Sequence, residues 1–367
     1  MSRSAFFYIS GHGFGHAIRQ IELMSALAAR LPAVQLFVRT TAPAWLFERT
    51  GRFAYTLLPG ETDPGVVQRD SLTLEEAATV RLASDFYERL DERASAEATL
   101  LDRHSAGIVI SDAAPLACAA AFAVGIPSFV CANFTWDWIY AGYSLSPDLL
   151  KTIQHAYSRA TAGWRMPMHG GFAAIDPVVD VPFIARHSRA DLSGDDVRRA
   201  LGLPTGGRRL ALISFGGYGL DGLRLERLDC TPSWQIVTTG RNISSRSDPD
   251  HAVIQIDEAE MYSAGLRYED LVRAVDVVIT KPGYGIISDC IANGTAMLYT
   301  SRGRFAEYDV LVSEMPRYLR CRFIGNEDLR AGRWREALDG LMRDPEPPER
   351  PRTDGAAVAA GMICDRL

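Results

Sequence analysis

Short apolar runs alternate with stretches of helical spacing along the whole chain. Residues 5–9 form a compact apolar and aromatic run, the mark of a buried strand. Residues 17–30 then place Ile18, Ile21, Leu23, Met24, Leu27 and Ala28 on one helical face. The pattern predicts strands at 34–39 and 57–59, and a long helix or helix pair over 73–103. A strand at 107–111 ends at Asp112, and an Ala-rich helix over 115–124 closes at Gly125. A strand at 128–131 opens into Asn133-Phe134-Thr135-Trp136-Asp137-Trp138. Residues 165–189 carry three prolines and little pattern, and read as the last elements of a first domain with a linker.

A second series comes next. It predicts a helix at 197–201, strands at 208–214 and 234–239, a helix at 268–274 and a strand at 275–280. A helix at 286–292 stops at Asn293-Gly294, and a strand is expected at 296–300. Helices are expected at 307–319, broken near Pro316, and at 334–343 and 356–366. Such alternation implies parallel sheets. The fold class is therefore α/β, with two Rossmann-like halves: residues 1–185, residues 186–350, and a terminal helix within 351–367 that can cross back to the first half. A cleft between the halves is the natural site.

The glycines mark where that site lies. Ser10-Gly11-His12-Gly13-Phe14-Gly15-His16 occupies the turn from the first strand to its helix. Glycine there lets backbone approach a ligand, the helix start offers unpaired N–H groups, and imidazole titrates near neutral pH. In the second half, Phe215-Gly216-Gly217-Tyr218-Gly219 leaves a strand, and Lys281-Pro282-Gly283-Tyr284-Gly285 opens a helix. Both suit phosphate. Asp289, one turn into that helix, is within reach of a ribose diol, or else simply favours the helix start.

Other chemistry is disfavoured. A Walker A loop is absent. The first loop is not G-x-G-x-x-G, because His16 stands in place of the third glycine, and the second strand ends in Arg39-Thr40 without the acid that holds an adenosine ribose. His12 and His16 straddle a turn with no evident third ligand, so no metal is expected. The net charge of −6 argues against a nucleic-acid partner. Six cysteines without a C-x-x-C pair suit a reducing cytoplasm, and neither a secretory leader nor a membrane span is expected.

Taken together, these motifs resemble the GT-B nucleotide-sugar glycosyltransferases. Gly11–Ala17, Asn133–Asp137 and Lys281–Gly285 are similar to motifs of bacterial glycosyltransferase-like proteins that match the N-terminal half of plant L-arabinokinase. More distant similarity runs to the lipid II-forming N-acetylglucosaminyltransferase. The galactokinase-like half of arabinokinase has no counterpart in these 367 residues, so kinase activity is not implied.

The resemblance implies transfer from a UDP- or dTDP-sugar to a small-molecule or glycan hydroxyl, inverting and without metal or other cofactor. Gly216, Gly217 and Tyr218 would contact the diphosphate, with Lys281, Gly283, Tyr284, Gly285 and Ser288 supporting it. Asp289 would bind ribose, where relatives usually carry the longer Glu, and Glu307 would hold donor-sugar hydroxyls. His16 with Asp112 matches the base and its orienting carboxylate, His12 being the other candidate imidazole. Asp137 is a rival base between Trp136 and Trp138. Those tryptophans form either an acceptor platform or ordinary core, and Gly13 and Phe14 would line the acceptor side. A nucleotide-sugar epimerase or hydrolase, or a non-catalytic nucleotide-sugar binder, would share the same scaffold.

Overall fold

The computed structural model describes residues 4–216, 222–239 and 253–367 of the chain. The first sheet contains β1 (Ser4–Ile9), β2 (Gln35–Thr40), β3 (Thr56–Pro59), β4 (Ile108–Asp112), β5 (Ser128–Phe134), β6 (Ala162–Gly170) and β7 (Val178–Asp180). Its order is β3-β2-β1-β4-β5-β6-β7, with every neighbour parallel. The second contains β8 (Arg209–Ile213), β9 (Trp234–Thr239), β10 (Val253–Ile256), β11 (Val277–Thr280), β12 (Ala296–Tyr299) and β13 (Cys321–Phe323). Its order is β10-β9-β8-β11-β12-β13, again parallel throughout.

Strand order reverses between β1 and β4 in one sheet and between β8 and β11 in the other. Crossover helices diverge at such a point and leave a crevice beyond the strand ends, where ligands bind in open α/β sheets. The glycine-rich loops come after β1, β8 and β11, so the sequence motifs fall on the two crevices. Helices cover both faces of each sheet, which is why the central strands are continuous apolar runs instead of alternating ones: β1, β4 and β5 are buried at every position.

Three local departures have physical causes. The first helix spans Phe14–Arg30, so His16 lies inside its first turn. Glycine and histidine carry no apolar signal there, and the period only becomes visible at Ala17. β6 runs through Pro167 where its pairing with β5 is irregular between Ala132 and Phe134, which hides it from pattern reading. Helix Ala306–Tyr318 continues through Pro316 without a break, because a proline so close to the C-terminus removes one of the last hydrogen bonds only.

The chain crosses back at its end. Gly355 N–H donates to Phe183 O at 2.9 Å and Phe183 N–H to Arg352 O at 3.2 Å. Helix Gly355–Cys364 then packs on Phe14–Arg30, with Ala359, Ala360 and Ile363 fully buried. Arg366 stacks its guanidinium over Phe129 and Trp164 of the first sheet. A Cβ at Gly355 would lie 2.1 Å from Pro182 O and 2.8 Å from Phe183 O, backbone atoms that cannot swing aside. Gly355→Ala is therefore expected to lower stability by about 1–3 kcal/mol. Thermal denaturation measures the loss, and limited proteolysis should show the C-terminal helix released first.

Candidate active site

The first wall of the cleft is built from the turn after β1. Ser10 Oγ accepts the His12 N–H at 3.2 Å and donates to Asp63 Oδ1 at 2.9 Å, which pins the turn. Gly13 caps the helix at φ +78°, a backbone conformation that side chains other than glycine seldom adopt. One residue further, the helix is regular and His16 points toward the neighbouring strand end. Its Nδ1 lies 2.7 Å from Oδ2 of Asp112, the last residue of β4. A carboxylate can only accept, so in the neutral ring the proton belongs on Nδ1 and the lone pair on Nε2.

Asp112 has no exposed surface. Burial opposes its ionisation, yet Arg19 and His16 outweigh it and hold the carboxyl below the usual range. Arg19 donates to Asp112 Oδ1 through Nη2 and, at 3.1 Å, through Nε. Asp63 is the second acid near His16. Burial pushes it up to about 6, against the pull of His16 and the Ser10 hydroxyl.

The second wall is the start of helix Tyr284–Asn293, just beyond β11. Its first turn carries no acid and its N-cap, Gly283, makes no side-chain capping bond, so the positive end of the helix dipole faces the cleft. The two helix starts meet glycine to glycine: a Cβ at Gly285 would lie 3.4 Å from Gly15 Cα. Around this contact opens a cleft of about 520 Å³, lined from both domains. Lys281 lies in it, pushed down to about 7 by burial and by nearby Arg302. His12 is pushed well below the ordinary imidazole range by burial, then by Arg302, His16 and Lys281.

His12, Gly13, Phe14 and His16 line this cleft from the first domain, and Gly216, Lys281, Gly283, Tyr284, Gly285 and Glu307 from the second. Gly217 and Tyr218 lie outside the described residues. Asp112 sits behind His16, and five other expected residues do not open on the cleft either. Asp289 is 2% exposed and its carboxylate is taken by the Arg186 guanidinium and, at 3.0 Å, the Arg186 N–H, so ribose finds no unengaged carboxylate there. Ser288 turns its hydroxyl back to Gly285 O at 2.8 Å. Asp137 faces the helix Pro147–Tyr157, accepting from Gln154 Nε2 at 3.5 Å, and so stands away from the His16 crevice. Trp136 is fully buried, stacked on Tyr140 at 5.3 Å and edge-on to His12. Trp138 lies over Gly170, where a Cβ would come within 2.4 Å of its ring. Trp136 is core and Trp138 is half-buried against that core, and neither lines the cleft where an acceptor platform is expected.

Arg19, Arg302, Asp63 and Arg186 carry no motif that marks them for a role, and Asn133 opens the Asn133–Asp137 motif without one being expected of it, although all five are buried and four of them line the cleft. Arg19, three residues after His16, shares its helical face, which was the one available signal. Among the described residues no three His, Cys, Asp or Glu side chains are grouped to hold a metal ion. None of the described helices is long and apolar enough to cross a membrane.

No protein-family model matches the chain. L-arabinokinase of Arabidopsis thaliana is 28% identical over 367 residues, covering 97% of this chain and 34% of that protein. The chain thus spans about a third of the length of this curated relative. Among solved structures, the calicheamicin glycosyltransferase CalG4 superposes with a TM-score of 0.66 at 15% identity, covering 100% of this chain and 99% of that one. The kitacinnamycin glycosyltransferase gives 0.65 at 17% identity, covering 99% of each. The spinosyn rhamnosyltransferase SpnG in complex with thymidine diphosphate gives 0.57 at 13% identity, covering 100% and 96%. With its two parallel sheets facing one cleft, the chain has the two-domain fold of the GT-B glycosyltransferases.

Proposed function

We propose that the protein transfers a sugar from a UDP- or dTDP-sugar to an acceptor hydroxyl, with inversion at the anomeric carbon. One observation carries this reading. A histidine held by a buried carboxylate faces, across a single cleft, a helix start and a lysine suited to a diphosphate.

The chemistry rests on those groups. A sugar or aglycone hydroxyl is a weak nucleophile, and a base must take its proton as it attacks the anomeric carbon. His16 Nε2 has the lone pair for this. Asp112 fixes the tautomer and stabilises the imidazolium that forms, as a buried carboxylate does in other histidine dyads. His12 is the poorer base, because two cations and a desolvated setting keep it from accepting a proton. The leaving diphosphate gains charge as the bond to the sugar breaks. The N–H groups and dipole of helix Tyr284–Asn293, together with Lys281, meet that charge, so this reading requires no metal. The similarity to L-arabinokinase and the glycosyltransferase neighbours supports sugar chemistry in general. SpnG, crystallised with thymidine diphosphate, supports the nucleotide class.

The test is a panel of UDP- and dTDP-sugars, each with and without a set of sugar and aromatic alcohols, scored for nucleoside diphosphate release and glycoside formation. His16→Ala is expected to cut transfer about 100- to 10,000-fold while leaving UDP or dTDP binding unchanged by calorimetry. Transfer at the wild-type rate would remove His16 from its role. Release from the donor alone, with no glycoside formed under any acceptor, would instead mark a hydrolase.

Lys281 gives a pH signature. Its ammonium form attracts diphosphate, and that form is lost as pH rises through about 7. Wild-type affinity for UDP or dTDP, relative to Lys281→Gln, is expected to fall by up to about tenfold per pH unit above that point. The decline ends where the lysine, stabilised by the bound anion, finally titrates in the complex. Calorimetric titrations between pH 6 and 9 on both proteins measure the difference, which cancels the titration of the nucleotide itself.

A further inference from the structure

The His16–Asp112 pair uses one carboxylate oxygen, and the other leads across the cleft. Asp112 Oδ1 receives Arg19 through Nε at 3.1 Å and through Nη2, and also Gln20 Nε2 at 3.3 Å. Arg19 Nη1 donates to Asn133 Oδ1 at 2.7 Å. Asn133 Nδ2 in turn donates to Glu307 Oε1 at 2.8 Å, and Glu307 Oε2 pairs with Arg302 Nη1 at 3.3 Å. Arg19, Asp112 and Asn133 belong to the first domain, Glu307 and Arg302 to the second. All five are at most 6% exposed.

Each link has one available direction. Arg19 can only donate and a carboxylate can only accept. An amide between them satisfies both only with its oxygen toward Arg19 and its nitrogen toward Glu307. Asp112 by contrast is not self-orienting, because rotation of a carboxylate about its last bond is soft. A single bond to His16 would let the carboxylate plane turn, and the imidazole with it. Arg19 on the other oxygen removes that freedom. Arg19 is itself a long side chain, held beyond Asp112 by Asn133, through Asn133 by Glu307 of the other domain, and by the Tyr284 ring of that domain 5.5 Å from its guanidinium.

We propose that Arg19 is a positioning residue for His16, and that the Asn133–Glu307 hydrogen bond locks Arg19 when the second domain is seated against the first. The base is then oriented in the closed cleft and loosened in an open one. This assignment takes its meaning from the transferase reading, but its geometry can be tested without any donor.

The readout is the tautomer of the His16 ring in protein labelled at histidine nitrogen, monitored by NMR and assigned by the signal lost in His16→Ala. The wild type is expected to show one form, with the proton on Nδ1. Glu307→Ala changes a residue of the other domain and leaves Asp112 paired with Arg19, so it avoids the folding risk of Arg19→Gln. It is expected to lose the single Nδ1–H form and give a mixture with Nε2–H, as is Asn133→Leu. Glu307→Gln keeps an oxygen to accept from Asn133 and should restore the wild-type signal, whereas Glu307→Met, which fills the space without accepting, should behave as alanine does. An unchanged Nδ1–H form in Glu307→Ala and Asn133→Leu, with melting temperatures showing both folded, overturns the proposal. The two readings fail separately. If no UDP- or dTDP-sugar is turned over while Glu307→Ala scrambles the ring, the link stands and the transferase reading falls. If His16→Ala abolishes transfer while Glu307→Ala leaves the ring unchanged, transfer stands and the link falls.

Discussion

An ionised carboxylate without solvent must be surrounded by donors, and the site is arranged around that demand at Asp112. Leaving a buried charge of this kind unpaired costs about 3–5 kcal/mol. Three side chains of one helix meet the demand: His16, Arg19 and Gln20. Their spacing is that of the helical period, which brings residues three and four apart onto one face and lets the intervening Ala17 and Ile18 point elsewhere. Helix Phe14–Arg30 therefore cannot shift or rotate along its axis without leaving Asp112 uncompensated. The carboxylate thus fixes the helix, and the helix start carries the glycines that the second domain packs on.

The same helix is gripped from its other side. Helix Gly355–Cys364 covers it with small side chains, which allows close approach of the two helices. The last residues of the chain thus support the first functional turn, although more than three hundred positions separate them. At the front, Gly15 and Gly285 meet with no side chain between them. Two helix starts of like polarity would repel one another. A diphosphate placed beside that contact would supply the negative charge that both lack.

Most of the strand and helix order could be read directly, because parallel strands covered on both faces are short apolar runs and their helices show a clear period. Where the reading stopped, a local feature masked the period. The first helical turn sets Gly15 and His16 between Phe14 and Ala17, and β6 passes through a proline at irregular pairing. The glycine loops marked the cleft because a strand end leading into such a loop has few other uses. Individual side chains were less legible. Trp136 and Trp138 have the composition of a sugar platform, yet a tryptophan just past a buried strand end is as easily folded inward, as Trp136 is, while Trp138 lies half-buried beside it. Arg19 was invisible as a site residue because it carries no motif, and Asn133 opens a motif whose composition drew the eye to Asp137 and the tryptophans instead. Their significance lies in whom they touch across the sheet and across the cleft, which no spacing along the chain encodes.

Asp289 and Glu307 show why position in a motif and occupation in the structure are separate matters. Both are acids at places where a donor could be held, and both are buried to nearly the same degree. Asp289 is spent on Arg186, whose own backbone N–H it also accepts, while Asn293 bonds the neighbouring carbonyl and the Ser188 N–H. Its helix is thereby tied to the segment that joins the domains. Glu307 faces the cleft, balanced between Arg302 of its own domain and Asn133 of the other. A sugar hydroxyl arriving beside Glu307 can donate to a remaining lone pair of its carboxylate while the Asn133 and Arg302 contacts stay in place. To reach Asp289, it would have to displace a buried guanidinium that two carboxylates hold. The energetic asymmetry leaves Glu307 the more readily engaged of the two acids in the cleft and ties Asp289 to a mechanical role.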